Sequence, residues 1–198
     1  PDPVYTTDNL VVTATGSDLD GQNVTMTHAW YEDGTLTSFT GTTIDSVEMD
    51  VGETWTVRVT PNDGFQDGDY VEQSITVSNT DPTITSATIS PSSNLNASSL
   101  LTCSATGNDA DDGSLTPTYT WAASGGATNT GATWQLDPSL ISGTETLTCT
   151  ASVIDANGAT ASSTSSSVTV TNMPPTSTGV SIGPSSGVVT GSTLSCSA

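Results

Sequence analysis

The chain has 198 residues, of which 33% are hydrophobic and 11% are charged, with 21 acids against a single base. The net charge of −20 argues against nucleic acid and anionic membranes as partners, since both require basic patches. No run of 18 apolar residues occurs, so we expect no segment to insert into a membrane. Acidity suits an extracellular protein in salt water, where charge is screened, but it also serves solubility alone, and both interpretations stay open.

Short β-strands are predicted along the chain, because apolar and polar residues alternate with a period of two between Asp-Gly and Asn-Gly turns. The first part is predicted to hold strands at residues 9–16, 24–31, 42–49, 53–60 and 69–78. The second part is predicted to hold strands at 83–90, 100–107, 116–123, 131–136, 145–154 and 161–171. The strand faces opposite the apolar ones are rich in Thr and Ser, which is typical of antiparallel sheets with one face in water.

An internal repeat of about 92 residues organises the chain. Residues 101–121 (LTCSATGNDADDGSLTPTYTW) repeat residues 10–30 (LVVTATGSDLDGQNVTMTHAW), and a third copy begins at Leu194. We therefore predict three units: 1–79, which lacks its first strand; 80–173, which is complete; and 174–198, which holds the first strand and part of the second. We expect the chain to be a segment of a longer polypeptide.

The length of the repeat and its strand pattern predict an all-β fold of tandem immunoglobulin-like antiparallel β-sandwich domains. The linkers at residues 79–82 and 172–175 are short and contain proline, which fixes φ and stiffens the chain. Successive domains should therefore adopt a limited range of angles and form an extended rod.

Cys103 and Cys149 are predicted to form a disulfide, because strand parity points both inward on strands that face each other in such a sandwich. The first repeat carries Val12 and Val57 at the same positions. Both cysteines are therefore replaced together in that copy, which indicates that the two positions are in contact. Two buried free thiols are the alternative. A disulfide would indicate an oxidising compartment and hence an extracellular or cell-surface location. Cys196 has no predicted disulfide partner.

Trp30 and Trp121 lie on the third strand with inward parity, like the core tryptophan beside the bridge of immunoglobulin domains. With the repeat length, the linker prolines and the cysteine pair, the chain resembles the tandem immunoglobulin-like repeats of bacterial surface proteins. It is similar in pattern to polycystic-kidney-disease-type and cadherin-like repeats. It departs from the polycystic-kidney-disease pattern because neither tryptophan is followed directly by a Gly-Asp-Gly run. It also has Leu147 where immunoglobulin domains have the tyrosine of the tyrosine corner.

Acidic turns form the predicted metal site. In such a sandwich the turn after the second strand and the turn before the last strand emerge at one end, beside the incoming linker. Carboxylate and carbonyl oxygens are the ligands of Ca²⁺, the one expected cofactor, which would lock the junction as the resemblance to cadherin-like repeats implies. The alternative is that these are simply favoured tight turns. The candidate ligands are Asp18, Asp20, Asp63, Asp67, Asn79, Asp81, Asp109, Asp111, Asp112, Asp155 and Asn157.

No catalytic site is predicted. His28 is the only histidine and is expected to be structural, and neither a Gly-x-Ser-x-Gly elbow nor a phosphate-binding loop occurs. Asn23 and Asn96 match the glycosylation triplet, a pattern that also arises by chance in Ser/Thr-rich chains. Scattered aromatic residues are the candidates for a sugar-binding platform, namely Tyr31, Phe39, Phe65 and Tyr70.

The leading hypothesis is a non-enzymatic structural segment of an extracellular stalk or filament, such as a surface fibre or adhesin. Its partners would be neighbouring repeats of the same chain or identical chains. The competing hypothesis is a carbohydrate-binding or other ligand-binding module of a larger secreted or surface protein, with a glycan or cell-surface partner. Two assemblies stay open: covalent continuation, and strand addition in which residues 176–183 of one chain complete the first sandwich of the next.

Overall fold

A computed structural model describes residues 3–197 and the side chains of residues 3–196. Within them are twenty β-strands and one short 3₁₀ helix, Ser46–Glu48. The first part holds β1 (Val4–Tyr5), β2 (Leu10–Val11), β3 (Thr25–Glu32), β4 (Thr35–Leu36), β5 (Thr43–Ile44), β6 (Thr54–Asn62) and β7 (Val71–Ser78). The second holds β8 (Thr83–Ile84), β9 (Thr88–Ser90), β10 (Leu100–Ser104), β11 (Gly107–Asp109), β12 (Gly113–Leu115), β13 (Thr118–Ala123), β14 (Thr128–Thr130), β15 (Thr133–Gln135), β16 (Thr146–Ile154), β17 (Thr160–Thr164) and β18 (Val168–Thr169). The last two are β19 (Ser181–Gly183) and β20 (Ser195–Ser197).

The second part forms two facing sheets. One has the strand order β15-β10-β9, and the other has the order β14-β13-β16-β17 with β18 also paired to β16. A small sheet, β12-β11-β8, carries the acidic hairpin between β11 and β12. Pairing is antiparallel within these sheets, and the long alternately buried strand β16 lies next to β13. The prediction of an all-β, immunoglobulin-like antiparallel sandwich is confirmed.

The first part repeats the larger sheet with the order β1-β7-β6-β3-β4 and faces it with only the pair β2-β5. Val4 pairs with Val77 in a parallel bridge, and Leu95 pairs with Val170 in the same way in the second part. The first part therefore has a full sheet on one side and a narrow one on the other.

The core of the second sandwich contains the predicted disulfide. Cys103 and Cys149 are bonded, with their Cα atoms 6.4 Å apart, and both are buried beside Trp121. The bond joins residues separated by 46 positions, for which the chain-entropy account assigns roughly 4 kcal/mol. The indole N–H of Trp121 donates to the carbonyl of Gly131 at 2.8 Å, so the one polar atom of this buried ring has a hydrogen-bond partner.

The core of the first sandwich reproduces this arrangement without the bridge. Trp30 is buried and donates to the carbonyl of Gly41 at 2.9 Å, as Trp121 does to Gly131. Val57 is buried and Val12 is half-buried at the positions of the two cysteines. The core is thus closed by aliphatic packing where the second sandwich has a covalent bond.

The second tryptophan of each core comes from a different sheet. Trp55 on β6 packs edge-on against Trp30 at 6.4 Å between ring centroids, whereas Trp134 on β15 packs against Trp121 at 6.0 Å. The repeat spacing places Ile44 at the position of Trp134 and Leu147 at that of Trp55. Each core therefore combines one aliphatic side chain and one indole, supplied by opposite sheets.

Strands β19 and β20 repeat the pairing of β9 and β10 in the same register. Ile182 pairs with Cys196 as Ile89 pairs with Cys103. The two main cores draw on residues within 1–79 and 80–173 respectively. The boundaries of the three units stay a prediction.

Several predicted strands differ in length from the observed ones. The segments 9–16 and 42–49 form strands of two residues each, β2 and β5, because a narrow facing sheet offers them few partners. The segment 107–115 forms a hairpin, β11–β12, rather than a plain turn. A Cβ at Gly107 would lie 2.5 Å from Cγ1 of Val153, so glycine suits the start of this hairpin.

Candidate functional site: the junction between the sandwiches

A four-residue linker joins the two sandwiches, from the end of β7 at Ser78 to the start of β8 at Thr83. Asn79 and Thr80 are half-buried, Asp81 is exposed and Pro82 is buried. The ring of Pro82 fixes φ and is itself anchored in the structure, so the linker has little freedom of its own. Side chains of the second sandwich are hydrogen-bonded to the linker and to Thr6 of the first sandwich.

Asp109 organises the acidic hairpin that faces the linker. Its Oδ1 accepts the backbone N–H groups of Asp111 at 2.7 Å and Asp112 at 2.9 Å. The side chain is 3% exposed. This local turn leaves the carboxylates of Asp111 and Asp112 free to bind other segments.

Asp111 contacts both the linker and the first sandwich. Its Oδ2 accepts the backbone N–H of Thr80 at 2.7 Å, and its Oδ1 accepts the hydroxyl of Thr6. Hydrogen bonds to an ionised carboxylate are stronger than those between neutral groups. One side chain of the second sandwich thereby holds two separate segments.

Asn79 makes the second set of contacts. Its Nδ2 donates to Oδ2 of Asp155 at 2.9 Å, and its Oδ1 accepts Nδ2 of Asn157 at 2.6 Å. Asp155 is buried, and its other oxygen accepts the backbone N–H of Ala159 at 2.7 Å. Donation from Asn79 is the main reason that the pKa of Asp155 lies below its ordinary value. The stabilisation from its charged form is therefore present at neutral pH and is lost as the pH falls through that lowered pKa.

The two acidic turns of the second sandwich are also joined to each other. Oδ2 of Asp112 accepts the backbone N–H of Ala156 at 2.7 Å. The structure thus brings five of the predicted ligands together through hydrogen bonds beside the linker: Asn79, Asp111, Asp112, Asp155 and Asn157.

Two buried oxygens at this junction have no hydrogen-bond partner among the described residues: Oδ2 of Asp109 and Oγ1 of Thr80. Buried polar atoms are rarely left unpaired. Beside the hairpin, a crevice of about 350 Å³ opens between the sandwiches. Its lining comes from both units, namely Thr6, Ser46, Val47, Met49, Asp50, Val51, Ala110, Asp111, Asp112 and Asn157.

Sequence reasoning missed the part that the first sandwich contributes. Asp50 lies in the turn between the 3₁₀ helix and β6, and Thr6 follows β1, both at the end of the first unit that faces the linker. The prediction considered the linker and, in each sandwich, the turns at the end where its own incoming linker lies, which in the first sandwich is the end away from this junction. The orientation of the first unit brings both residues to the crevice, and no pattern within a single strand indicates that orientation.

The other predicted ligands lie at the far end of the first sandwich. Asp18 and Asp63 line one depression of about 200 Å³. Each closes its own turn: Oδ1 of Asp18 accepts the N–H of Asp20, and Oδ1 of Asp63 accepts those of Phe65 and Gln66. These backbone donors hold the pKa of Asp63 below its usual value.

Asp67 accepts Nδ2 of Asn62 at 2.7 Å, which closes the turn between β6 and β7. Across residues 3–197, no group of three or more His, Cys, Asp or Glu side chains is placed so that it could hold a metal ion. Calcium binding stays a prediction both at the junction and at the far end of the first sandwich.

The remaining candidates are spread over the surface. His28 is half-buried on β3, Asn23 is exposed, and Oδ1 of Asn96 accepts the N–H of Ser98. Glycosylation of the two asparagines stays a prediction. No helix in the described part of the chain has the length and apolar character needed to cross a bilayer.

Two of the candidate sugar-binding aromatics flank the single base. The guanidinium of Arg58 lies 4.2 Å from the ring centre of Tyr70 and 5.1 Å from that of Tyr31, and it pairs with Glu72 at 2.8 Å. Phe39 packs against Trp55 in the core, and Phe65 is exposed at the far end. The four rings do not form a common platform.

Comparison with known proteins identifies no family for this chain. No protein-family model matches the chain, and no curated protein matches it. Among solved structures, it is similar to the amphioxus IgVJ-C2 molecule at 19% identity, with a TM-score of 0.36. The match covers 84% of this chain and 98% of that one. The immunoglobulin-like assignment follows from the strand order.

Proposed function

We propose that this chain is a non-enzymatic structural segment of an extracellular stalk or filament, built like the immunoglobulin-like repeats of bacterial surface proteins. The observation that carries the proposal is the junction, where Asp111 binds Thr6 and Thr80 while Asn79 binds Asp155 and Asn157. A junction held by side chains from three segments resists bending. Repeats stacked in this way extend a rod, because each needs contacts only with its neighbours.

The chemistry of the chain supports an extracellular location. The Cys103–Cys149 disulfide persists in oxidising compartments, and the net charge of −20 keeps long assemblies from associating side by side. An immunoglobulin-like fold serves commonly as a structural or binding module.

Surface labelling of the producing cells tests this function. We expect an antibody raised against the chain to label intact, unpermeabilised cells along filaments or a surface layer visible by electron microscopy. Labelling that appears only after the cells are permeabilised would contradict the proposal. A cytoplasmic protein serves as the control for intact membranes.

We also propose that Ca²⁺ stiffens the junction. Asp50, Asp111, Asp112 and Asn157 line the crevice, and Oδ2 of Asp109 in the same hairpin is buried without a described hydrogen-bond partner. These hard oxygen donors suit Ca²⁺, which would neutralise the facing carboxylates when bound. The acids at the far end of the first sandwich would bind Ca²⁺ in the same way only where a further unit adjoins that end. These acids are Asp18, Asp20, Asp63 and Asp67.

Thermal unfolding with and without calcium tests this second proposal. Extracellular calcium modules bind with dissociation constants of about 10⁻⁴–10⁻³ M, so 10 mM calcium, roughly 10 to 100 times that value, should add about 1.4–2.7 kcal/mol. That corresponds to a rise in Tm of several degrees for a chain of this size. Asp111→Asn should abolish the rise, whereas the matched variant Asp18→Asn should retain it. Equal Tm values in calcium and in chelator would refute calcium binding.

A further inference from the structure

The outer face of the larger sheet differs between the two sandwiches at one cluster of side chains. On β13, β16 and β17, the residues that point away from the core are Thr, Ser and Ala, apart from Ile154 at the end of β16. In the first sandwich the same face carries Tyr31 on β3, Arg58 on β6 and Glu72 on β7, and Tyr70 directly precedes β7. We call these four residues the Arg58 cluster.

The second repeat shows that the sandwich forms without this cluster. Arg58 pairs with Glu72 across β6 and β7, as Thr150 pairs with Thr164 across β16 and β17. The hydroxyls of the two threonines lie 2.8 Å apart, at the place of the 2.8 Å ion pair. The fold therefore requires neither the charges nor the rings. Small side chains replace both rings, namely Ala122 at the position of Tyr31 and Ser162 at that of Tyr70.

The guanidinium of Arg58 is held in one orientation by its neighbours. Its central carbon lies 4.2 Å from the ring centre of Tyr70 and 5.1 Å from that of Tyr31, and both contacts are attractive cation–π interactions. Its Nε donates to Oε1 of Glu72 at 2.8 Å. Within residues 3–197 this is the one hydrogen bond of the guanidinium, so its terminal amino groups remain free to donate to a ligand.

The cluster is accessible and combines three kinds of recognition group. The side chains of Arg58 and Glu72 are 36% and 39% exposed, and Tyr70 is 54% exposed. Arg58 supplies N–H donors, Glu72 supplies carboxylate acceptors, and the tyrosines supply apolar ring faces. The residue paired with Arg58 on β3 is Ala29, whose small side chain leaves room beside the guanidinium.

We propose that the Arg58 cluster is a binding site for a neutral carbohydrate. A sugar ring carries hydroxyl groups around its edge and C–H groups on its faces. Arg58 and Glu72 donate to and accept from neighbouring hydroxyls, and the tyrosine rings pack against the C–H face. This site goes beyond the proposed structural function and does not depend on it, because it lies on the side of the first sandwich and leaves the junction unchanged.

Charge favours a neutral sugar over an acidic one. Arg58 is the only base in the chain, and Glu72 already balances its charge. The exposed Asp69 adjoins Tyr70, and the chain has a net charge of −20. A carboxylated or sulfated ligand would therefore be repelled, whereas an uncharged polyol would not. Arg58 acts here as an oriented hydrogen-bond donor and not as a counter-ion.

Titration of the ¹⁵N-labelled full chain with neutral tetrasaccharides of glucose, mannose, galactose and N-acetylglucosamine tests the proposal. We expect at least one of them to shift the backbone amide signals of Arg58 and Glu72. The quadruple variant Tyr31→Ala, Arg58→Thr, Tyr70→Ser, Glu72→Thr copies the second repeat and should therefore still fold. It should bind about tenfold more weakly or worse, because the charged donors and the rings are lost together. Thr76→Ala removes an exposed hydroxyl from the same face and is the matched control, which should bind like the parent.

The reverse exchange tests whether the four residues suffice. The variant Ala122→Tyr, Thr150→Arg, Ser162→Tyr, Thr164→Glu should gain a second site, which raises the stoichiometry from one sugar per chain to two.

Several results would overturn the proposal. One is the absence of shifts with every neutral tetrasaccharide at about 10 mM, roughly ten times a millimolar dissociation constant. The others are unchanged binding by the quadruple variant, a stoichiometry that stays at one in the folded reverse variant, and tighter binding of the acidic tetragalacturonate than of every neutral sugar. None of these results bears on the structural function, because the rigidity of the junction is measured separately.

Discussion

Asp111 shows how one carboxylate can define a junction. It is positioned by the turn that Asp109 closes, and it then accepts hydrogen bonds from Thr6 and Thr80 on the other side. An Asp-Gly turn in isolation would leave such an acid in water. Here the turn and the linker meet, so a residue that the sequence marks as an ordinary turn former gains a specific contact across two units.

The two cores allow a direct test at the residue level of what the disulfide adds. Reduction should lower the free energy of unfolding of the second sandwich by roughly 4 kcal/mol, because the closed loop of 46 positions is released. The first sandwich, which has Val12 and Val57 instead, should be unaffected. Calorimetry with and without reductant measures both transitions in one chain.

The double variant Cys103→Val with Cys149→Val copies the first sandwich and should still fold, with lower stability than the oxidised parent. Equal downward shifts of both transitions on reduction would show that the bond does not act locally.

At the level of elements, the sheets of the two sandwiches divide the core differently. Trp134 and Leu147 in the second repeat correspond to Ile44 and Trp55 in the first, so the second indole moves from one sheet to the other. Interiors are close-packed, so a large side chain on one sheet requires a smaller one opposite. Both cores therefore contain one indole and one aliphatic side chain at these positions, but the sheet that supplies the indole differs between the repeats.

Exchanging these positions in the second sandwich should reproduce the first. Trp134→Ile should cost about 3 kcal/mol through a cavity, and Leu147→Trp about 1–3 kcal/mol through overpacking. The double variant should cost less than the sum, with a coupling energy of about 1–3 kcal/mol. Denaturant unfolding of the four proteins measures this cycle, and strictly additive losses would rule out compensation between the sheets.

Prediction from sequence succeeded where a pattern depends on one strand. Period-two alternation located β3, β6, β7 and β16, and parity placed Trp30, Trp121 and the cysteine pair in the cores. It failed where the outcome depends on a partner strand. The segment 9–16 has the alternation of a long strand, yet β2 is two residues long because its outer edge is unpaired.

The same limit applied to the candidate site. The acids beside the linker could be predicted because the fold brings their turns to one end. Asp50 and Thr6 could not, since their role depends on how the preceding unit is oriented. Contacts between units leave little trace in the alternation of a single strand.

For the whole molecule, the account centres on a junction that fixes two sandwiches relative to each other. The linker has four residues, including a buried proline, and Asn79 and Thr80 within it are hydrogen-bonded to the second sandwich. Thr6 of the first sandwich donates to Asp111 of the second. Such a unit transmits orientation from one repeat to the next, which is the property that a stalk or filament requires.

The most direct measurement is ¹⁵N relaxation of the full chain in solution at neutral pH, because backbone amides in both sandwiches report rotational motion separately. The account predicts one rotational diffusion tensor shared by the two sandwiches, with a correlation time set by their joint size. Two different and shorter correlation times, each matching a sandwich that tumbles alone, would contradict a fixed junction and with it the proposed structural role.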